Sequence, residues 1–381
     1  MLNVVSDRGE MMNFTTKKPP IVMNSQRTYK RSFTLHFVLI VVAVAAIILK
    51  AFTVVPDDAT YTALDQAFKV FLMLVTGAFV SLIIELFYSL SEGTTNKFNN
   101  YKGFVDPINT GLLIALLLPT VTPIYVLVLA VAVGVYAGKI VFGGYGYYIF
   151  NPALVGVLFA NLSFSSQLAV TDTPLRLLKR ALNGETFQIN NLTELILGNY
   201  EALAIGTTSL ILLVFAFAYL CVTRVIDLRI SGTFLLTILV MSFGIGFINF
   251  YVSGDMSGVL GYTLINMITG FTMFAAVFLI SEPVSSPTSR ETKMIYAVVV
   301  AVLAMTVRTL GQETEGIIFA ILFGNMITPF INRTVKRSND KTLIKTSIYL
   351  VLAVLFITVF LGYILQNNLS DVFTYIGGVL L

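Results

Sequence analysis

The chain has 381 residues, 56% of them hydrophobic and 12% charged, with a net charge of +4 at pH 7. Soluble domains carry about 25% charged residues, so these proportions, with a mean hydropathy of +0.86, exclude an ordinary soluble enzyme and predict an all-α polytopic membrane protein. A single cysteine, Cys221, excludes a disulfide within the chain, and a single histidine, His36, excludes a bis-histidine haem.

Acidic residues are sparse inside the apolar runs, so no metal site is expected and any redox chemistry calls for an organic cofactor. The positive balance is read as loop lysines and arginines that orient the chain in a lipid bilayer, with no nucleic-acid partner.

Runs of ~17–25 apolar residues suffice to cross ~30 Å of hydrocarbon. The first, over 33–55, follows the basic Arg27, Lys30 and Arg31 and lacks a small-residue cleavage site, so it is read as a retained span. The acidic stretch PDDATYTALDQ leads to a second span at 67–90, which carries Glu85 within it. A loop with Lys97 and Lys102 precedes a short segment at 109–121 and spans at 123–141 and 148–164. A polar stretch at 165–200 separates the halves. Further spans are predicted at 202–223, 232–252, 259–280, 294–310 and 316–331. After the basic RTVKRSNDKTLIK comes an additional apolar run, 346–365, an extra C-terminal helix that either spans or lies at the interface.

With a cytoplasmic N-terminus, Lys97, Lys102, Lys139, Arg224, Arg229, Arg290, Lys293, Arg333, Lys336 and Arg337 all fall on the cytoplasmic side. Arg176, Lys179 and Arg180, in the outer 165–200 loop, are the main exceptions. LLPTVTP before Ile124-Tyr125 and SEPVSSP before Ile295-Tyr296 suggest a weak internal repeat. Five spans per half would invert the second half relative to the first, as in folds whose broken helices meet near the midplane. The organisation expected is an N-terminal cytoplasmic segment (1–32), a first membrane repeat (33–164), the outer loop (165–200), a second repeat (201–332), and a basic loop with the extra helix (333–381).

Four stretches hold candidate functional residues. VFGGYGYYIFNPALVG (141–156) reads as a tight turn into the fifth span, with Asn151 available to satisfy a carbonyl freed by Pro152 or to line a path for an ion or flavin. Its tyrosines read as interface anchors. Glu282, in SEPVSSPTSRETK, is a carboxylate at the edge of a span, which suits an ion or proton path, a helix cap, or a pair with Arg290. Glu85 is an intramembrane acid of unassigned role, Lys50 can snorkel, and Arg308 is expected to pair with Glu313 or Glu315 at the outer surface. In SSQLAVTDTPLRLLKRALNG (165–184), three basic side chains beside Thr173 suit an anion such as a phosphate, or Thr173 caps a helix that starts at Pro174.

LLPTVTP, GK-x-x-FGG-x-G-x-x-x-FNPA-x-VG (138–156), TPL (173–175), LGNYEALAIGTTS (197–209), EPVSSP (282–287) and EGIIFAILFGNMITPFIN (315–332) occur in one order. Together they resemble the RnfD/NqrB family of membrane subunits from Rnf and Na+-translocating quinone reductase complexes. The likeness covers residues 105 to 332. It implies ten spans in two inverted five-helix repeats, similar to urea channels, and an FMN joined through its phosphate to a threonine on the outer side. The matching residue is Thr173, with Arg176, Lys179 and Arg180 as candidates to neutralise the phosphate. Asp172, Thr207 and Glu282 stand where the family usually has alanine, glutamate and aspartate.

The resemblance further implies a flavin transferase for maturation, partner subunits of a complex in the bacterial cell membrane, and room for a second, non-covalent flavin. The expected function is electron transfer coupled to Na+ or H+ movement, with Glu282, Asn151 and Glu85 as ion-path candidates. The chain would be a non-autonomous subunit, since nothing in it binds a nicotinamide or ferredoxin. Two alternatives stand beside this one: a channel or solute transporter without flavin, and a flavin relay to extracellular acceptors without ion pumping.

Overall fold

The computed structural model describes residues 3–5, 11–13, 25–52, 62–92, 102–168, 204–207, 209–250, 256–268, 271–310, 316–336 and 340–377. A short antiparallel ribbon pairs β1 (Asn3–Val5) with β2 (Met11–Asn13), Val4 lying opposite Met12. The rest of the described chain is built from helices and their connections.

In the first half these are α1 (Ser25–Ala51), α2 (Ala63–Ser91), α3 (Lys102–Leu117), α4 (Ile124–Ile140), α5 (Pro152–Ser163) and the single turn α6 (Ser165–Leu168). The second half has α7 (Leu210–Val222), α8 (Leu228–Phe250), α9 (Met256–Ile268), α10 (Thr272–Leu279), α11 (Arg290–Leu310), α12 (Gly316–Lys336) and α13 (Asp340–Gly377). Among the described residues, six helices are long and apolar enough to cross a membrane: α1, α2, α8, α11, α12 and α13. A seventh span results if α9 and α10, bent by 49°, count as one. Helices α3, α4, α5 and α7 are apolar but shorter. This is a multi-pass membrane protein.

Local sequence explains many of the boundaries. Thr62 and Asp65 form a reciprocal capping box at the start of α2. The Asn151 side chain caps α5, with Pro152 in its first turn. Ser209 caps α7, so the predicted span at 202–223 is helical as a 3₁₀ turn at Ile205–Thr207 and then from Leu210. The predicted span at 259–280 is broken because Phe271 adopts a left-handed φ of 60°. There the Thr272 hydroxyl donates to the Asn266 carbonyl at 2.8 Å, satisfying an acceptor that α9 leaves open at its end.

Large apolar side chains such as Phe37, Phe79, Phe215, Phe330 and Phe356 face outward, while the interior mixes aliphatic residues with buried polar ones. Hydrocarbon offers backbone groups no partners, so the breaks lie inside the protein. The end of α3 meets the 3₁₀ turn there: the Ile205 amide donates to the Leu118 carbonyl at 3.1 Å. Gly206 abuts Phe274 of α10 so closely that a Cβ would fall 2.5 Å from the ring.

Helices α2 and α3 approach most tightly at Gly77 and Gly111, where a Cβ on Gly111 would sit 2.1 Å from the Gly77 carbonyl oxygen. Backbone cannot yield as a flexible side chain can, so Gly111→Ala is expected to destabilise the protein by about 3 kcal/mol. A fall in the thermal midpoint in detergent checks this. The C-terminal helix α13 packs along α8 and α11, burying Val354, Thr358 and Leu361.

Candidate functional site

The glycine-aromatic turn that follows α4 sets up the site. Gly143, Gly144 and Gly146 all have φ between 86° and 101°, a region that residues with a Cβ rarely enter. The chain therefore reverses sharply, and Tyr148 turns inward while Tyr147 stays exposed. The Tyr148 hydroxyl donates to Glu282 Oε1 at 2.7 Å across 134 positions of sequence. A phenol facing a carboxylate acceptor keeps its proton and donates it to the bond. Tyr147 fits the anchoring role expected of these tyrosines; Tyr148 does not.

Glu282 is fixed from its own side as well. Its Oε2 accepts from the Ser285 amide at 2.8 Å and the Ser285 hydroxyl at 2.6 Å, and Oε1 accepts from the Val284 amide at 3.3 Å. Glu282 thus caps the local turn at Val284–Ser285 and not a helix, and its long-range partner is Tyr148. Asn151 also differs from expectation. Its Oδ1 accepts from the Ala153 amide at 3.0 Å, serving a backbone donor at the start of α5 and no carbonyl freed by Pro152. Its Nδ2 is buried without a hydrogen-bond partner.

Two further acids, Glu85 and Asp106, join the group through a lysine. Lys139, counted from sequence among the cytoplasmic loop cations, is buried (1% exposed) and bonded to Glu85 of α2 and Asp106 of α3. It sits on a π-helical turn, Tyr136–Ile140, that ends α4. Such turns concentrate at functional sites. A second π turn, Ala275–Leu279, ends α10. Pro107 leaves α3 one amide short near its start, and Ser81 of α2 donates to the Pro107 carbonyl at 2.7 Å. His36 of α1 bonds Asn109 of α3 at 2.7 Å between Nδ1 and Oδ1.

Several of these residues line one cavity. Asp106, Asn109, Tyr145, Tyr148, Asn151 and Glu282 line it together with the cationic Arg31, and Val277 and Phe278 on the second π turn add apolar wall. Its volume is about 80 Å³. That suffices for several waters or a small hydrated ion, and falls well below the ~300 Å³ or more of pockets that hold larger organic ligands. Chemically, the arrangement offers two carboxylates and a tyrosine hydroxyl to a small cation or proton in a partly open cavity.

A wider basic pocket adjoins it, with room of about 650 Å³, lined by Arg31, Arg224, Arg229, Ser286 and Lys293 around Asp227. The Lys293 ammonium bonds Asp227 at 2.7 Å. Burial pushes the Asp227 carboxyl up, but the Lys293 hydrogen bond, the Arg229 amide and the charges of Lys293 and Arg229 bring it below its ordinary value. A depressed carboxyl contributes stability above its unfolded pKa of about 3.9 and loses it as pH falls through the lower folded value. Asp227→Asn should therefore cost about 1 kcal/mol at pH 7, given the partial exposure of the pair, and nothing at strongly acid pH. Thermal midpoints of both proteins across pH check this.

The structure thus unites Glu282 and Asn151 directly, and Glu85 through Lys139 and Asp106. Thr173, Arg176, Lys179 and Arg180 lie outside the described residues, as do Glu313 and Glu315. Arg308, expected at the outer surface, is buried and donates to the Asn266 carbonyl at 3.2 Å. Sequence reading missed Asp106, Lys139 and Tyr148 as site residues. The available signal was Asp106-Pro107 in an otherwise apolar segment.

The chain is similar in sequence to several known proteins. A subunit of the Na(+)-translocating NADH-quinone reductase from Pseudomonas paraeruginosa is 28% identical over 277 residues, covering 68% of this chain and 66% of that protein. Its counterpart in Pseudomonas aeruginosa strain LESB58 is 30% identical over 248 residues, covering 61% and 60%. A subunit of the Na(+)-translocating ferredoxin:NAD(+) oxidoreductase complex from Acetobacterium woodii is 29% identical over 239 residues, covering 60% and 70%. This chain spans 60–66% of the length of the two reductase subunits. Residues 15–341 match the family described as NQR2, RnfD, RnfE, and the chain belongs to that family.

Proposed function

We propose that this protein is the flavin-carrying subunit of an Rnf-type ion-translocating oxidoreductase, and that the cavity between Asp106 and Glu282 lies on its cation path. The observation that carries the reading is the convergence of Asp106, Asn151, Tyr148 and Glu282 on one small cavity, in a chain whose relatives are named as subunits of Na(+)-translocating complexes. A carboxylate inside a membrane domain is costly and marks ion or proton paths. Here two border the same space.

The electron-carrying part of the proposal rests on the Thr173-Pro174-Leu175 match. Thr173 would hold FMN through its phosphate on the outer side, with Arg176, Lys179 and Arg180 balancing the charge. The group supplies redox chemistry that no side chain of this protein provides. For the second, non-covalent flavin we propose the basic pocket around Asp227 and Lys293, since its volume lies in the range of small-molecule sites and the Glu282 cavity is too small for an isoalloxazine ring.

The architecture belonging to this reading is ten spans in two inverted five-helix repeats, 33–164 and 201–332, with the outer loop 165–200 between them and α13 as an addition. The mixture of long helices with the shorter α3, α4, α5 and α7 supports it. Partner subunits, a flavin transferase and a cytoplasmic N-terminus in the bacterial cell membrane complete it. The cation is Na+ or H+.

The decisive test is ultraviolet fluorescence of the denatured protein on a gel after co-expression with a flavin transferase. A fluorescent band supports the electron carrier. A dark band, under conditions that flavinylate a control protein, favours the channel or transporter without flavin, which would use the same cavity. A fluorescent protein whose assembled complex builds no membrane potential during turnover is a flavin relay without pumping.

A further inference from the structure

The cation that Glu85 and Asp106 share is a side chain of this protein. Lys139 bonds both carboxylates, and its ammonium lies 5.8 Å from the centroid of the Tyr145 ring. The two acids differ in setting. Glu85 is 3% exposed and sealed between helices, whereas Asp106 is 28% exposed and borders the cavity. With all three groups ionised the cluster carries one net negative charge, and the opposite charges of Arg31 and Glu282, which also line the cavity, leave that balance unchanged, so the site attracts a further cation. Asn151 adds an independent sign of an occupant: its buried Nδ2 has no protein acceptor and borders the same cavity. A buried amide donor of this kind requires an acceptor such as a water oxygen, which a hydrated ion brings.

We propose that Lys139 is a tethered counter-cation: its ammonium fills the place that a small monovalent cation would otherwise take between Glu85 and Asp106, and a cation entering the cavity competes with it for Asp106. The proposal deepens the ion-path reading above and rests on it for its physiological meaning. Lysine suits the task, because its charge is compact and its four-carbon stem is flexible. When an arriving cation takes Asp106, the ammonium stays with Glu85, and neither buried acid is left without a positive partner. Lys139 then acts as a positioning residue that keeps affinity for the passing ion low enough for release.

The test is Na+ binding to the purified full-length chain in detergent, measured with radioactive Na+ while choline chloride holds ionic strength constant. Lys139→Met keeps the length of the side chain and removes its charge. It is expected to lower the apparent dissociation constant for Na+ at least tenfold relative to the unsubstituted protein. Equal affinities in the two proteins overturn the proposal. Should Lys139→Met fail to fold, Lys139→Met combined with Glu85→Gln removes one charge of each sign. This double variant must still bind Na+ about threefold more tightly than the unsubstituted chain, and no gain there overturns the proposal as well. Flavin content does not enter the measurement, so a bare Thr173 would defeat the electron-carrier reading and leave this result standing.

Discussion

Thr173→Ala is expected to abolish covalent flavin on this chain. An ester through phosphate needs a hydroxyl, and in the segment that matches the attachment motif of the RnfD/NqrB family this hydroxyl belongs to Thr173, directly before Pro174 and Leu175. The charge pattern singles out the same loop. Read from sequence, Arg176, Lys179 and Arg180 are the main departures from the charge rule expected of the loop cations, and a bound phosphate would offset them. The measurement is in-gel fluorescence of the denatured band, with Thr173→Ser beside it. The serine variant keeps a hydroxyl and should retain part of the signal. Fluorescence that survives Thr173→Ala in full places the attachment at another residue.

The second large effect concerns the buried charges. Glu85→Ala is expected to destabilise the protein by about 3–5 kcal/mol, the cost of removing one partner from a buried ion pair. Lys139 would then depend on Asp106 alone, and a void would remain between α2 and the end of α4. Asp106→Asn should cost only about 1–2 kcal/mol, because this carboxylate is partly exposed at the cavity and asparagine keeps an oxygen for the ammonium. Thermal midpoints in detergent test the ranking. Equal losses from the two substitutions would show that burial does not set it.

Much of the fold was legible from sequence because membrane spans are written in long apolar runs. Helices α1, α2, α8, α11, α12 and α13 each overlap a predicted span. Their ends were less legible. Phe271 breaks a continuous apolar run by taking a left-handed conformation that nothing in FTMFAAVF announces. The π turns that end α4 and α10 likewise lack a compositional mark.

The site was half visible. Glu282, Asn151 and Glu85 stood out as polar groups in apolar surroundings, which is a local signal. Their partners did not, because partnership is long-range. Lys139 beside Val141-Phe142-Gly143 reads as a loop cation, and only folding brings it to Glu85, 54 positions away. Tyr148 likewise reads as an interface ring until the reversal at Gly143–Gly146 aims it at Glu282.

Helix α13 has a consequence for assembly. It lies against α8 and α11 and buries Val354, Thr358 and Leu361 there, so that flank is already screened by the chain's own tail. A neighbouring protein approaching from that side meets α13 first, at its exposed Leu355, Phe356, Val359 and Phe360, and not α8 or α11.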